Sequence, residues 1–232
     1  MRGVCVALLL LCAQEATAGD CVVLLHGLAR SSSSMEPMEQ ALTDAGFSVV
    51  NLDYPSREYP IEELALLAIE DGLFLCGEND RPQQVHFVTH SLGGILVRYY
   101  FEHHDSDVVG RVVMLGPPNQ GSRAADKMGD WPGFDWLNGP AGAQLGKGPE
   151  SIPLGLGTPD FEFAVVAGNR TVDPITSAVL EDPDDGKVSV EDTKLDGMRD
   201  FRVVEVSHAY IMRDDEVIEL VIRFLRSGSF DG

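Results

Sequence analysis

The stretch that decides the fold is VHFVTHSLGG, residues 85–94. Val85–Thr89 has the near-continuous β-branched and apolar character of a strand buried on both faces. Ser91 follows at a turn, and Gly93 and Gly94 lie at the start of a segment with a helical pattern. A strand, a tight turn that carries a serine and a helix that opens with small residues form a nucleophile elbow, which exposes the serine Oγ. The sequence therefore predicts a strained turn at Ser91, at a cost of roughly 1–3 kcal/mol.

Thr89 departs from the usual pattern of this turn, G-x-S-x-G, because it stands where the first glycine is expected. A β-branched residue must then fit at the crowded end of the strand. The alternative role for Ser91 is to cap the helix that follows. The other residues that such a site needs occur in the right order along the chain, and they favour the elbow over the cap.

The rest of the chain alternates strand and helix patterns. Buried strands are predicted at Cys21–His26, Phe47–Leu52, Val85–Thr89, Val112–Leu115, Phe161–Ala167 and Phe201–Val206. Helices are predicted at Met35–Ala45, Ile61–Cys76, Ser91–His104 and Asp214–Leu225. This alternation predicts an α/β fold, a mostly parallel sheet with helices on both faces, in which functional residues follow the carboxyl ends of strands.

One segment, Pro117–Pro159, interrupts the alternation. It is rich in Gly and Pro and shows no sustained period of either kind. A long irregular run of this sort is usually a functional lid or a disordered stretch. Its large apolar residues, Trp131, Phe134, Trp136 and Leu137, would be costly to expose, so we predict a packed, cap-like insertion.

A serine hydroxyl needs a base, and the base needs an orienting carboxylate. His208 is the only histidine after residue 104, and it directly follows the last predicted strand. The loop after Phe161–Ala167 offers several carboxylates, of which we select Asp185 as the acid, with Asp184 as the second choice. The other members of this acidic cluster are expected to be solvated. Several carboxylates in one loop also suit a calcium ion, which stays an open alternative, but their spacing does not match an EF-hand, so no metal is predicted.

The oxyanion formed by acyl transfer needs backbone N–H donors. The amides of Leu28, in the turn after the first strand, and Leu92, directly after the serine, are the predicted donors. The alternative for the His26-Gly27-Leu28 turn is a plain glycine turn.

The chain order Ser91, Asp185, His208 resembles that of the α/β-hydrolase superfamily. HGL at 26–28 and THSLGG at 89–94 resemble its bacterial lipases and esterases, as do LGPPNQGS at 115–122 and DGKVS at 185–189. The subgroup that the chain resembles is related to the catalytic domain of GPI inositol-deacylase, in family and not in substrate. The superfamily's two leading antiparallel strands have no evident room here, so a minimal sheet of about six strands is expected.

The resemblance implies a serine carboxylic ester hydrolase, an esterase or lipase, that works through an acyl-enzyme. Trp131, Phe134, Trp136 and Leu137 would line the acyl pocket, and the substrate would be a small-molecule or lipid ester. No cofactor is expected, and the protein is expected to be a monomer. Two alternatives stay open: an acyltransferase with the same triad, and a non-catalytic binding module on this scaffold.

Composition narrows the class of protein. The 232 residues are 44% hydrophobic and 23% charged, which is typical of a folded globular chain. With 17 basic and 37 acidic residues the net charge is −20, and such a surface repels phosphate backbones, so nucleic acid is excluded as a partner.

The first residues predict an export signal. The apolar run Val4–Ala13 is too short to span a membrane but suits a signal peptide, and ATA at 16–18 predicts cleavage near Ala18. Residues 1–18 would then be removed and residues 19–232 would form a single periplasmic or secreted domain with no membrane span. Cys12 would suit a lipoprotein signal only poorly, since Leu11 before it is large.

The expected export also bears on the cysteines. Cys5 and Cys12 leave with the signal peptide, and Cys21 and Cys76 remain as an even pair in a compartment that permits disulfides. We predict that these two are bonded; the alternative is two buried free thiols.

Overall fold

The computed structural model of the protein describes residues 20–80, 84–105, 107–129, 134–172, 180 and 183–232. The predicted signal peptide, residues 1–18, and Trp131 lie outside the described residues, as do the side chains of 134–137.

The sheet contains six described strands. They are β1 (Cys21–Leu25), β2 (Ser48–Leu52), β3 (Val85–His90), β4 (Val109–Leu115), β5 (Phe163–Gly168) and β6 (Asp200–Val204). Their order across the sheet is β2-β1-β3-β4-β5-β6, and each of the five pairings between them is parallel. The predicted α/β fold with a six-stranded sheet is confirmed. The sheet was predicted to be mostly parallel, and the six described strands are all parallel.

The strand register brings the functional loops to one edge. Leu25 of β1 pairs with Thr89 of β3, and His90 pairs with Leu115 of β4. Because the strands are parallel and end nearly level, the turns that follow β1, β3 and β4 meet at the carboxyl edge of the sheet.

Eight α-helices are described. They are α1 (Glu36–Asp44), α2 (Ile61–Asp80), α3 (Leu92–His103), α4 (Arg123–Gly129), α5 (Phe134–Ala143), α6 (Ile152–Gly155), α7 (Val190–Thr193) and α8 (Asp215–Ser227). Short 3₁₀ turns span Ser32–Met35 and Ile211–Arg213. The last helix shows why its bounds lie where they do: Asp214 caps the amides of Glu216 and Val217, and Gly228 ends the helix in the left-handed conformation.

Two apolar clusters cover the two faces of the sheet, because side chains alternate along a strand. Val23 and Leu25 belong to the cluster that includes residues of α2 and α3. Val22 and Leu24 belong to the cluster that includes residues of α1 and α8. The expected helices on both faces are therefore present.

Element ends differ from the predicted ones by a few residues. β4 begins at Val109 instead of Val112, since Val109 extends the pairing with Val85. β6 ends at Val204 instead of Val206, because the Val206 amide bonds back to the Val204 carbonyl and turns the chain.

The described part of the Gly- and Pro-rich segment contains three short helices, α4 to α6, where the sequence pattern predicted none. In α5 the helical period is broken at Gly139, whose φ of 66° is non-helical, and Pro140 follows it. Two described residues of this segment, Ala141 and Leu145, are buried in the core cluster of α2 and α3. The Gln144 side chain accepts a hydrogen bond from the Ile61 amide at 2.7 Å, which ties the segment to the start of α2.

A disulfide joins Cys21, at the start of β1, to Cys76 in α2, as predicted. Their Cα atoms are 5.8 Å apart, and both residues are buried. Among the helices of the described residues, none is both long enough and apolar enough to cross a membrane.

The double replacement Cys21→Ala and Cys76→Ala should lower the free energy of unfolding by about 4 kcal/mol. The disulfide closes a loop with a sequence separation of 55, which restricts the unfolded chain. Urea unfolding monitored by circular dichroism measures the change, and wild-type protein in reductant is the matched control. A double variant within about 1 kcal/mol of the oxidised wild type would contradict the expected contribution.

Candidate active site

Ser91 lies in a strained turn between β3 and α3. Its φ is 52° and its ψ is −116°, a conformation that side-chain-bearing residues rarely adopt. The Ser91 amide donates a hydrogen bond to the Leu115 carbonyl at 2.9 Å, which fixes the turn to β4.

Small residues in α3 let strand and helix approach closely. A Cβ on Gly93 would meet the Leu25 carbonyl oxygen at 2.9 Å, so no larger residue fits there without a shift. Thr89, the departure from the usual motif, is fully buried. Its Oγ1 would lie 3.2 Å from a Cβ on Gly94, and the absence of that Cβ gives the β-branched side chain its space.

His208 and Asp185 form a close pair. His208 follows β6, and its Nδ1 lies 2.7 Å from Asp185 Oδ2. The His208 amide also donates to the Asp185 carbonyl at 2.9 Å, so backbone and side chain are both held. With the Nδ1 proton directed at the carboxylate, Nε2 is the nitrogen that can accept a proton.

The other carboxylate oxygen of Asp185 is held by its own loop. Asp185 Oδ1 accepts the amides of Lys187 at 2.9 Å and Val188 at 2.8 Å. Asp184 points elsewhere: its Oδ1 accepts the Gly186 amide at 2.7 Å. Of the two aspartates considered from the sequence, Asp185 is the one that contacts His208.

Gly116 leaves room for this pair. It follows β4 with a φ of 55°, and a Cβ there would lie 3.1 Å from both Asp185 Oδ2 and His208 Nδ1. Only glycine combines this conformation with the free space.

His26 and His90 stabilise the turns that follow β1 and β3. His26 Nδ1 lies 2.9 Å from the Gly27 carbonyl oxygen, and its ring stacks on Tyr54 with a centroid distance of 4.1 Å. His90 Nε2 lies 3.0 Å from the His208 carbonyl oxygen, which links the turn of Ser91 to the loop of His208.

Burial lowers the pKa of three histidines, His26, His86 and His90, below the ordinary value. The pKa of His90 falls well below that value, mainly because of burial, and electrostatic interactions with His208 and then Arg30 lower it further.

We expect the free energy of unfolding to fall as the pH drops below about 6.5, with a slope of at most about 1.4 kcal/mol per pH unit for each of these histidines. Each histidine binds a proton less readily in the folded protein than in the unfolded chain, so the stability it contributes is fully present above the unfolded pKa and is lost as the pH falls through the folded pKa. Urea unfolding between about pH 7.5 and 5.5 measures the slope. His26→Gln should make the slope shallower; a flat wild-type profile would contradict the expectation.

The predicted oxyanion donors lie at the same edge of the sheet. Leu92 is the first residue of α3, so its amide has no partner in the preceding turn of the helix. Leu28 lies in the turn after β1, which the Arg30 amide closes by donating to the Gly27 carbonyl at 3.3 Å.

A cavity of about 230 Å³ opens beside these groups, and Leu28, Ser91 and His208 line it. The described residues that the 117–159 segment contributes are Pro118, Ser122, Ala124, Ala125, Asn138, Gly142 and Leu145. Of the four residues predicted to line the acyl pocket, Trp131 lies outside the described residues. The side chains of Phe134, Trp136 and Leu137 also lie outside the described residues. The role of all four residues in the acyl pocket therefore stays a prediction.

A larger cleft of about 910 Å³ lies at the opposite, amino edge of the sheet, where Gln84, Val109 and Arg111 are among its lining residues. Ligands of open parallel sheets bind outside the carboxyl ends of the strands, so the smaller cavity is the candidate active site.

The family model described as the alpha/beta hydrolase family matches residues 22–224. The chain belongs to this family. The match confirms the resemblance on which the sequence analysis relied, and it spans the candidate site of this hydrolase from the β1 turn to α8.

Solved structures share the fold of this hydrolase. The mature form of lipase BlEst2 from Bacillus licheniformis has a TM-score of 0.69 at 20% identity, and the match covers 93% of each chain. Phospholipase PlaB from Legionella pneumophila has a TM-score of 0.67 at 16% identity, over 91% of this chain and 61% of that one. A metagenomic carboxyl esterase has a TM-score of 0.67 at 17% identity, over 85% of this chain and 67% of that one. At these identities the likeness shows the fold alone. No curated protein matches the chain.

A buried polar network in the hydrolase was missed by sequence reasoning. Arg98 of α3 is buried, and its Nη1 donates to the carbonyl and the side-chain oxygen of Asn119 at 3.1 Å. Asn119 in turn donates to the Thr193 carbonyl at 2.8 Å, which connects the helix of Ser91 to the chain that follows the Asp185 loop. Burial lowers the pKa of Arg98 to about 10, so it stays charged at neutral pH. The available signal was an arginine inside the apolar run ILVRYYF, residues 95–101.

Proposed function

We propose that this hydrolase is a serine carboxylic ester hydrolase that uses Ser91, His208 and Asp185 as its catalytic triad. The observation that carries the proposal is the 2.7 Å contact of Asp185 Oδ2 with His208 Nδ1 beside the cavity that Ser91 and His208 line. The printed names of the structural neighbours, a lipase, a phospholipase and a carboxyl esterase, support ester bonds as the target.

The first half of the reaction forms an acyl-enzyme. Ser91 Oγ attacks the ester carbonyl carbon while His208 Nε2 takes its proton. Asp185 holds the imidazole in the required tautomer and stabilises its charged form. The protonated His208 then gives its proton to the leaving alcohol as the ester bond breaks.

Water completes the reaction. His208 Nε2 takes a proton from a water molecule, which attacks the acyl carbon, and Ser91 leaves with the proton returned. In both halves the Leu28 and Leu92 amides stabilise the oxyanion, and one such donor is typically worth about 2.7–4 kcal/mol.

We infer a preference for small acyl groups from the size of the cavity. Its volume of about 230 Å³ is below the roughly 300–1,000 Å³ of typical ligand pockets. We therefore expect short-chain esters to be better substrates than palmitate, as in an esterase.

The proposal includes export. A disulfide is typical of oxidising compartments, which is compatible with cleavage of residues 1–18 near Ala18 and a periplasmic or secreted hydrolase. Mass determination of the amino terminus of the exported protein tests it; a start at Met1 would contradict it.

The central experiment is hydrolysis of p-nitrophenyl esters from acetate to palmitate by residues 19–232. A fluorophosphonate probe, which labels activated serines, should attach to Ser91, as read by peptide mass spectrometry. Product analysis with added alcohols separates hydrolysis from acyl transfer: transfer as the main product would favour the acyltransferase. A folded protein with no turnover and no label would contradict the proposal.

A further inference from the structure

The proposed oxyanion donor Leu28 shares a peptide unit with the carbonyl group of Gly27. The unit is planar, and in a trans peptide the N–H and the C=O point in opposite directions. A hydrogen bond that holds the Gly27 oxygen therefore also sets the direction of the Leu28 N–H. The partners of this oxygen decide where the donor points.

Two donors hold the Gly27 oxygen. His26 Nδ1 lies 2.9 Å from it in a buried contact, and the Arg30 amide donates to it at the longer distance of 3.3 Å. A carbonyl oxygen can only accept, so His26 Nδ1 carries a proton and donates. The His26 ring is thus the shorter of the two restraints on the peptide that contains the Leu28 amide.

Tyr54 requires the same tautomer from the other side of the ring. The Tyr54 amide donates to His26 Nε2 at 3.3 Å, so Nε2 is an acceptor and carries no proton. The Tyr54 hydroxyl donates to the His26 carbonyl at 2.5 Å, and the two rings are stacked. The partners of the two ring nitrogens therefore agree on one neutral form, with the proton on Nδ1.

The charge state of the ring is consistent with this form. The Asp53 carboxylate, 3.5 Å from His26 Nε2, raises the pKa of His26, but burial of the ring lowers it by more. The ring is therefore neutral at neutral pH, and Nε2 is free to accept the Tyr54 amide.

The turn after β1 is strained and lies against the turn of Ser91. Ala29 has a φ of 56°, which costs a residue with a side chain roughly 1–3 kcal/mol, and its amide donates to Ser56 Oγ at 3.1 Å. A Cβ on Gly27 would lie 3.2 Å from Ser91 Cβ, so the backbone of Gly27 packs directly beside the serine. A strained turn relaxes when one of its bonds is lost, so the bond of His26 is needed to keep the Leu28 amide in place.

We propose that His26 is a positioning residue that directs the Leu28 amide at the oxyanion: its Nδ1 proton holds the Gly27 oxygen, and Tyr54 holds the ring in the tautomer that donates. The inference rests on the proposed function and adds a residue to the same site. Among the described residues, Leu28 lines the cavity and His26 does not, so His26 acts through Leu28. Its loss should therefore lower kcat and leave KM nearly unchanged.

The kinetic test uses two replacements that each keep one of the two ring functions. In His26→Asn, the side-chain amino group takes the place of Nδ1 and can still donate to the Gly27 oxygen. In His26→Gln, the side-chain oxygen reaches the place of Nε2 and accepts the Tyr54 amide, and the Gly27 oxygen loses its side-chain donor. We expect His26→Gln to lower kcat for p-nitrophenyl butyrate by about 10- to 100-fold, below the roughly 10²–10³-fold of a donor removed outright. His26→Asn should stay within about fivefold of the wild type.

Stability measurements separate this role from support of the fold. Asparagine is smaller than histidine and leaves the Tyr54 amide without its acceptor, so the urea midpoint of His26→Asn should be no higher than that of His26→Gln. A residue that only supported the fold would give the lower kcat to the less stable variant, and we expect the reverse order. A kcat loss in His26→Asn as large as that in His26→Gln would overturn the positioning role. His103→Gln, which replaces an exposed histidine of α3 outside the cavity, is the matched control and should leave kcat and KM unchanged.

Nitrogen-15 NMR of the histidine rings tests the tautomer without any substrate. In the wild type at about pH 7.5, the His26 ring should carry its proton on Nδ1, and the loss of this signal in His26→Gln assigns it. A proton on Nε2 would overturn the proposal. A wild type that has the expected tautomer and hydrolyses no ester would count against the proposed function, and the restraint of His26 on the Leu28 peptide would be supported.

Discussion

Ser91→Ala is expected to lower kcat/KM for p-nitrophenyl butyrate by about 10⁴-fold or more. Without Oγ no acyl-enzyme forms, and the remaining rate comes from the oxyanion donors and from binding alone. The loss should be in kcat more than in KM, since the Ser91 side chain acts mainly in the transition state. Initial rates over a range of ester concentrations measure both constants.

The fold of the Ser91→Ala variant should remain intact. Alanine at φ 52° carries the same backbone strain as serine, so the urea midpoint should change little. Ser33→Ala is the matched control, because Ser33 is an exposed serine in the 3₁₀ turn after β1 and lines no part of the cavity. Retained activity in a folded Ser91→Ala protein would assign the nucleophile to another residue.

The sheet could be predicted from the sequence because its central strands, such as β1, β3 and β5, are buried on both faces. Segments such as Cys21–Leu25 are continuous apolar runs, and glycine or polar turns separate them from the helices. Ser91 was equally readable, since the strand, turn and helix of the elbow are contiguous in the chain.

The helices of 117–159 could not be read in the same way. A helix of seven or four residues, such as α4 or α6, is too short to establish a period, and α5 is broken at Gly139. Their positions depend on contacts such as that of Gln144 with Ile61, which join distant parts of the chain.

The choice between Asp184 and Asp185 also needed the structure. The two residues are adjacent and chemically identical, so composition and spacing cannot separate them. The loop decides between them: the amides of Lys187 and Val188 turn the Asp185 carboxylate toward His208.

Asp185→Asn is expected to lower kcat by about 10⁴-fold with little change in KM. Two backbone N–H groups, those of Lys187 and Val188, donate to Asp185 Oδ1, so an asparagine must place its carbonyl oxygen there. Its amino group then faces His208 Nδ1, which must become a hydrogen-bond acceptor. The imidazole proton moves to Nε2, the nitrogen that has to take the proton of Ser91, and the base is lost.

Steady-state kinetics of Asp185→Asn beside Asp184→Asn test this assignment of the acid. The Asp184 carboxylate accepts a hydrogen bond from the Gly186 amide, whereas the Asp185 carboxylate contacts His208. Replacement of Asp184 should therefore lower kcat by less than about tenfold. The urea unfolding midpoints of both variants are compared with that of the wild type. A variant that has only the wrong His208 tautomer should have a low kcat and a normal midpoint, whereas a misfolded variant should have a lower midpoint. If Asp184→Asn were the variant that lost about 10⁴-fold, the acid would be Asp184, and the Asp185 contact with His208 would have to change in the working enzyme.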